Sequence, residues 1–441
     1  MLLAAAPCAH ARTRPAYGGT LHVEIAGDPW QRGTGIARRL VMDGLTDFDA
    51  AGTLQPALAL SWKSDNNDHR WQFQLRAGVV FQDGTPLSAA NVVASLNADC
   101  GDHCPWNAAR VLGSTVVFTG EAAMPNLPAL LASDEFLIAL TAKADGSTPA
   151  GNIGTGPFRV TGFASGVLQM AANDNCWRGR PYLDGVEIRV HRAVRDQWLD
   201  LSVGRADVVE VPPEMLRQAR QQRLNVVAAQ EAQLLELHVD GSRALANPML
   251  RGAIANAVDR AALANVIFQK QAEPTASLLP EDVSGYAFLF STTRDMNEAF
   301  RLRGGLNTPP LLLSSEGGAA MQLAAQRIAL NLKEAGFNAQ TTAAEGRQAD
   351  LALRILPMEA RKPAYLLALL MREGGEVAPQ GAEYGSSTEL YRTERDFLAS
   401  HTVIPLLYLP RAYATGPRVR ELELDVDGSP DIADTSLEDA P

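Results

Sequence analysis

The order of apolar and polar positions predicts short strands and amphipathic helices along most of the chain. Leu21, Val23 and Ile25 alternate with His22 and Glu24, the two-residue period of a half-buried strand. Residues 57–62 and then Trp71, Phe73 and Leu75 give two more strands. Asp83-Gly84 marks a turn, and Thr85-Pro86 opens a helical stretch over 88–96 with Ser88 as its N-cap. A strand-rich block over 158–170 continues through 173–177 and 186–190. From Leu237 the texture changes. Residues 251–268 carry Ile254, Val258, Leu263 and Ile267 at helical spacing, and 311–313 reads as a short buried strand. That strand runs through Ser314 and Ser315 into a long helix. Met321, Ala325, Ile328, Leu332 and Ala335 share its apolar stripe, and Gly336 closes it. Further strands are expected at 337–341 and 349–355. Strand, helix and strand in succession imply a partly parallel α/β lobe. Residues 404–408 form a last apolar strand, and Pro405 predicts an edge or strand-start position for it.

At 441 residues the chain exceeds one ordinary hydrophobic core, so two or three domains are expected. Its formal net charge of −11 argues against nucleic acid as a partner. The acids are unevenly placed. Eight follow Arg420 with no base among them, which leaves the body nearly neutral. Leu2 to Ala6 and the small-x-small run Ala9-His10-Ala11 fit a signal remnant over 1–16, although a basic leader segment is missing. No apolar run approaches the roughly 18 residues of a spanning helix. The longest strong run, 365–371, is far shorter, so a soluble mature chain is expected. Cys100 and Cys104 flank His103 in a loop that permits a small disulfide, free thiols or two metal ligands. No second Cys/His pair lies nearby to complete a zinc site, which disfavours the metal. Cys176 is expected to be a small buried hydrophobe.

Catalytic signatures are missing. The chain has no G-x-S-x-G, H-E-x-x-H or G-x-x-x-x-G-K-[ST], and its seven histidines are scattered. Gly151, Gly154 and Gly156 are followed by Pro157, which removes an N–H that a phosphate-binding turn would need. No cofactor and no enzymatic activity are expected.

Several segments together resemble the family 5 extracellular solute-binding proteins, the peptide/nickel-type components of ABC importers. The resemblance begins with Tyr17-Gly18-Gly19-Thr20-Leu21, then Gly52-Thr53-Leu54-Gln55-Pro56-Ala57-Leu58-Ala59 ending at Trp62. Its most specific stretch runs from Trp71 through Asp83-Gly84-Thr85-Pro86-Leu87 to Asn91, where the family usually has Asp. Later elements are Gly154-Thr155-Gly156-Pro157-Phe158, Asn173 to Trp177, Gly204 to Val208, Leu250 to Ile254 with Asp259-Arg260, and Ile404-Pro405-Leu406. Cys176 replaces the usual Tyr. The residues themselves read mostly as fold elements: a turn with a helix start, a close crossover at Gly154 to Pro157, and a local Asp259–Arg260 pair.

The resemblance implies an α/β, bilobed type II periplasmic-binding-protein fold with an inserted subdomain in lobe one. Lobe one would comprise 17–42, 152–238 and 404–433, the inserted subdomain 43–151, lobe two 239–403, and an acidic tail 434–441. Two strands would cross between lobes near 237–241 and 400–404. The family's tryptophan–aspartate segment has no counterpart after 350–357, so lobe two looks shortened on its cleft side and peptide specificity does not carry over. The implied function is extracytoplasmic, periplasmic capture of an oligopeptide or similar small polar solute by a monomer, for delivery to a membrane ABC permease. Two other readings stand beside it: a degenerate sensor or scaffold without transport, and a cleft hydrolase.

Ligands of open α/β lobes bind outside the carboxyl ends of the strands. That places Ser314 and Ser315 in the cleft, ahead of a helix whose first N–H groups favour an anion or carbonyl; their other reading is as helix caps. Arg354 could meet a carboxylate bidentately. Asp28 and Trp30 follow the first strand, and Trp106 and Tyr384 are loop aromatics placed to stack on a ligand. No metal site is expected.

Overall fold

The computed structural model describes residues 15–32, 35–65, 67–100, 104–140, 153–286, 288–306, 308–315, 317–342, 349–374 and 386–438. Among them one mixed sheet runs through both lobes. From one edge its strands are Ala339–Thr342, Leu311–Ser315, Leu351–Pro357, Asn225–Val239 and Val403–Thr415, then Val208–Glu210, Thr20–Glu24, Gly185–Arg189, Val167–Ala172 and Phe158–Ala164. Parallel pairing occurs in each half: Leu311–Ser315 lies between two parallel neighbours, and so does Thr20–Glu24. Each half has its own core. Leu21, Val23, Phe158 and Ile188 centre lobe one, and Leu237, Ile254, Leu313, Ile328 and Leu353 centre lobe two.

A third core belongs to the segment inserted after Val41. Its antiparallel sheet orders Ala59–Ser64, Arg70–Leu75, Thr115–Thr119 and Ala108–Leu112, with Phe73, Phe118 and Phe136 buried beneath. The helix Ala89–Cys100 packs on it. Ser88 caps that helix as expected, and reciprocally: Asn91 N donates to Ser88 Oγ at 3.2 Å, and Ser88 N to Asn91 Oδ1 at 3.2 Å. The long helix Ala319–Glu334 buries Met321, Ala325, Ile328 and Leu332, and Gly336 at φ 87° ends it.

The expected close crossover is real. A Cβ on Gly154 would lie 2.0 Å from the Val41 carbonyl oxygen, at the end of the helix Ala37–Val41. Gly154→Ala must therefore push the lobe-one helix from its seat. We expect it to lower the unfolding free energy by about 3 kcal/mol, read from the midpoint of urea denaturation at unchanged slope.

The two long strands, Asn225–Val239 and Val403–Thr415, join the halves. They pair antiparallel from Asn225↔Thr415 to His238↔Val403. Below the middle they abut Val208–Glu210 of lobe one, and above it Leu351–Pro357 of lobe two. The register breaks between Ala229 and Gln233, where Glu231 takes a left-handed φ of 49°. On one side of this break the strands pair with Val208–Glu210, and on the other with Leu351–Pro357. The sequence does not mark the break, because Ala229, Gln230, Glu231, Ala232 and Gln233 include no Gly or Pro.

Three expectations change. Val403–Thr415 is a central strand buried along its whole length, not an edge. Pro405 is tolerated because the pairing slips beside it, between Leu235 and Glu236. Asp259 and Arg260 do not pair with each other. Asp259 caps the turn at Ala262 N, whereas Arg260 is buried and donates to the Pro405 carbonyl at 2.9 Å. The acidic C-terminal stretch is not a free tail as far as Glu438. Thr435, Ser436 and Leu437 are buried against lobe one, and Glu438 N bonds Arg418 O at 2.9 Å. Their apolar side chains are too few to stand out among the acids. Cys104 is disulfide-bonded, and Cys176 is a free, buried thiol.

Candidate functional site

One wall of charged side chains in lobe two is built on neighbouring strands. Glu236 and His238 stand on Asn225–Val239, opposite Arg354 and Ala352 of Leu351–Pro357. Strand alternation puts Glu236, His238 and Arg354 on one face. Arg354 gives both Nε (3.0 Å) and Nη2 (2.6 Å) to Glu236 Oε1. Its Nη2 also reaches His238 Nδ1 at 2.8 Å. Since a guanidinium only donates, Nδ1 is the acceptor and His238 is neutral. Burial and then the Arg354 charge push the imidazole down to about 4. Glu236 is fully buried, and burial pushes its carboxyl up against the pull of Arg354. Its Oε2 has no hydrogen-bond partner among the described residues.

Glu373 ends the helix Pro363–Glu373 and feels charges of both lobe two and the inserted subdomain. Burial and then Glu135 push its carboxyl up, while Arg354, Arg372 and Arg32 pull it down. Arg372 clamps Glu135 with Nε at 2.6 Å and Nη2 at 2.7 Å, which joins lobe two to the inserted subdomain.

Beside this wall lies a cavity of about 450 Å³. It is lined by the helix Ala37–Val41 and the start of the inserted subdomain, by 176–181, by Glu359 just beyond Leu351–Pro357, and by 425–434 of the C-terminal stretch. Buried Asp43 accepts from Thr155 Oγ1 at 2.6 Å and Trp177 Nε1 at 2.9 Å. Arg178 bridges Asp43 (3.2 Å) and Asp47 (2.6 Å). Arg39 bonds Asp47 and the Ala132 carbonyl, each at 3.2 Å. Such a chamber offers charge recognition rather than bond chemistry. Among the described residues no group of three His, Cys, Asp or Glu is placed to hold a metal ion.

The residues singled out from sequence fall into different places. Arg354 directs two donors at a carboxylate, but both reach the single oxygen Oε1 of Glu236 in its own chain, not the two oxygens of a bidentate pair. Asp28 is exposed, and its Oδ1 accepts Trp30 N at 2.9 Å; Trp30 is half-buried on the lobe-one core. Ser314 and Ser315 are half-buried at the end of their strand. Neither caps Ala319–Glu334, whose N-cap is Gly318, and Ser314 Oγ instead approaches Leu351 O at 3.4 Å. Trp106 is no loop platform: at 5% exposure it packs between Phe118 and Phe136 in the subdomain core. A large aromatic on a short connection finds more apolar contact inside than out. Tyr384 lies outside the described residues. Sequence reasoning missed Arg39, Glu359 and Asp425. Its available signal was the pair Asp425 and Asp427 before the Gly428-Ser429 turn, read only as part of an acidic tail.

Residues 53–358 match the bacterial extracellular solute-binding proteins, family 5 Middle. The chain belongs to this family. Among curated relatives, YhjP of Bacillus subtilis strain 168, itself named as uncharacterized, is 31% identical over 172 residues, covering 36% of this chain and 29% of the relative. DdpA of Escherichia coli K12, named a probable D,D-dipeptide-binding periplasmic protein, is 26% identical over 274 residues, covering 55% and 51%. The chain spans about half the length, or less, of the first curated relatives it matches. The solved structure of AgaA with agropinic acid, from A. tumefaciens R10, superposes with a TM-score of 0.81 at 19% identity, covering 96% of this chain and 99% of that one. Such family 5 structures establish the bilobed type II fold of the chain. No helix among its described residues is long and apolar enough to cross a membrane.

Proposed function

We propose that the chain is the extracytoplasmic solute-binding component of an ABC importer. It takes a small polar solute, an oligopeptide or a molecule of similar size, between its lobes and presents it to a membrane permease. No bond is made or broken. The observation that carries this reading is the pair of linking strands with their register break at 229–233, because it lets two separately packed cores move as rigid bodies. Closure on a solute requires contacts that favour the closed state over the open one. The names of the curated relatives, DdpA among them, support a solute of peptide size.

The reading is tested by small-angle scattering of the purified protein against libraries of dipeptides, tripeptides, amines and sugars. A binding solute is expected to reduce the radius of gyration and raise the melting temperature together. A solute that is turned over, or silence across all the libraries, overturns it.

A further inference from the structure

Two carboxyl groups that line the cavity, Glu359 and Asp425, accept no hydrogen bond from a described residue and have only Arg39 as a favourable charge close by. Glu359 is 8% exposed and accepts no hydrogen bond from any described residue. Its neighbouring guanidinium, Arg39, stands at 3.9 Å, beyond hydrogen-bond range, and is already committed to Asp47 and the Ala132 carbonyl. Burial pushes the Glu359 carboxyl up to about 8. Arg39 opposes that rise, and Asp427, Asp134 and Glu373 add to it. Asp425 lines the same cavity, and burial followed by the charges of Asp427 and Asp431 pushes it up to about 7. Its side chain, too, receives no hydrogen bond from the described residues.

The bases around the chamber are engaged elsewhere. Arg178 serves Asp43 and Asp47, and Arg180 serves Asp174 and Asp184. Asp427 is held by Ser429 through N and Oγ, each at 2.8 Å, and faces Arg411. What remains is a cavity of small-molecule size whose lining acids outnumber its three arginines, Arg39, Arg178 and Arg180. Buried carboxylates in that condition either hold protons or receive a cation.

We propose that this cavity is a subsite for the cationic end of the solute, an ammonium or guanidinium group, with Glu359 and Asp425 as its counter-ions. The inference rests on the solute-capture reading and names the substrate class. An organic cation fits better than a metal, because the acids are not grouped as ligands and an ammonium or guanidinium brings several donors to scattered acceptors. Glu359 follows the lobe-two strand Leu351–Pro357, whereas Asp425 belongs to the stretch folded back on lobe one. A cation between them is held from both lobes and favours the closed state.

Calorimetry and thermal shift near neutral pH test this with putrescine, agmatine and arginine, against acetamide and succinate as neutral and anionic controls. At least one cation is expected to stabilise the wild type while the controls do not. Glu359→Gln and Asp425→Asn are expected to bind that cation at least about tenfold more weakly. Without ligand both variants should melt no lower than the wild type, since each replaces a desolvated carboxyl that accepts no hydrogen bond from the described residues. Cation binding unchanged in both variants overturns the subsite, as does a wild type that ignores every cation. If the wild type then compacts around a neutral peptide or sugar, solute capture survives and only the cation subsite falls. If nothing compacts it, both fall.

Discussion

Arg354→Ala is expected to lower the unfolding free energy by about 3–5 kcal/mol, because it strands a carboxylate that has no other counter-charge at hand. Glu236 is fully buried, and both guanidinium contacts fall on its Oε1. Removing the partner leaves an ionised group in a poor solvent or forces it to take a proton. Glu236→Gln in the same chain is expected to restore much of the loss, since the amide needs no counter-ion. A double-mutant cycle of Arg354→Ala and Glu236→Gln, read by urea unfolding, gives the coupling directly. Were Arg354 purely a ligand contact, the single variant would keep its stability and lose affinity alone. That result would return the residue to the role its sequence position suggests.

The second large effect concerns Glu394 and depends on pH. Its carboxylate accepts Leu278 N and Leu279 N (3.2 Å to the latter) and the Tyr286 hydroxyl, deep under the helix Ser387–Leu398. Burial pushes it from an ordinary 4.5 up to about 7, with the three hydrogen bonds opposing the rise. A carboxyl whose folded value exceeds its unfolded value is a native group that prefers its proton. Its stabilising contribution is complete below about pH 4.5 and is lost as the pH rises through about 7. Glu394→Gln can accept both backbone N–H groups through Oε1 and donate to Tyr286 through Nε2. The variant is expected to match the wild type near pH 5 and to exceed it above pH 7 by up to about 3 kcal/mol. Urea titrations across that range decide it. A difference independent of pH would show that the buried charge is not what limits the wild type.

Much of the architecture was legible because the period of apolar residues reports directly on which face is covered. The strand at 311–315, the helix behind it and its glycine stop all follow from that signal, as does the Ser88 cap. The close crossover at Gly154 was legible for a different reason: Gly-Thr-Gly-Pro is a composition that few other backbone paths need. The register break at 229–233 was not legible because it is a property of pairing between strands far apart in sequence, and pairing leaves no mark on either strand alone. Trp106 and Arg354 show the limit for the site. Residue type told what each could do, an aromatic face and a bidentate fork, but the protein itself supplies the partners, Phe118 and Glu236. The acids of 425–434 were visible as composition. Only the fold shows that they turn back onto lobe one and meet Glu359 across a cavity.

The linking strands are bonded to one another on both sides of their break, so they behave as a two-ply leaf spring and not as two separate joints. Flexing such a ribbon out of its plane only tilts its hydrogen bonds, whereas sliding one ply along the other ruptures them. The lobes are thereby confined to a single arc. Under the proposed capture of a solute, its escape would wait on one excursion along that arc, and residence time would become a matter of spring stiffness. Substitutions at Gln230, Glu231 and Ala232 should tune that dwell without touching the cargo.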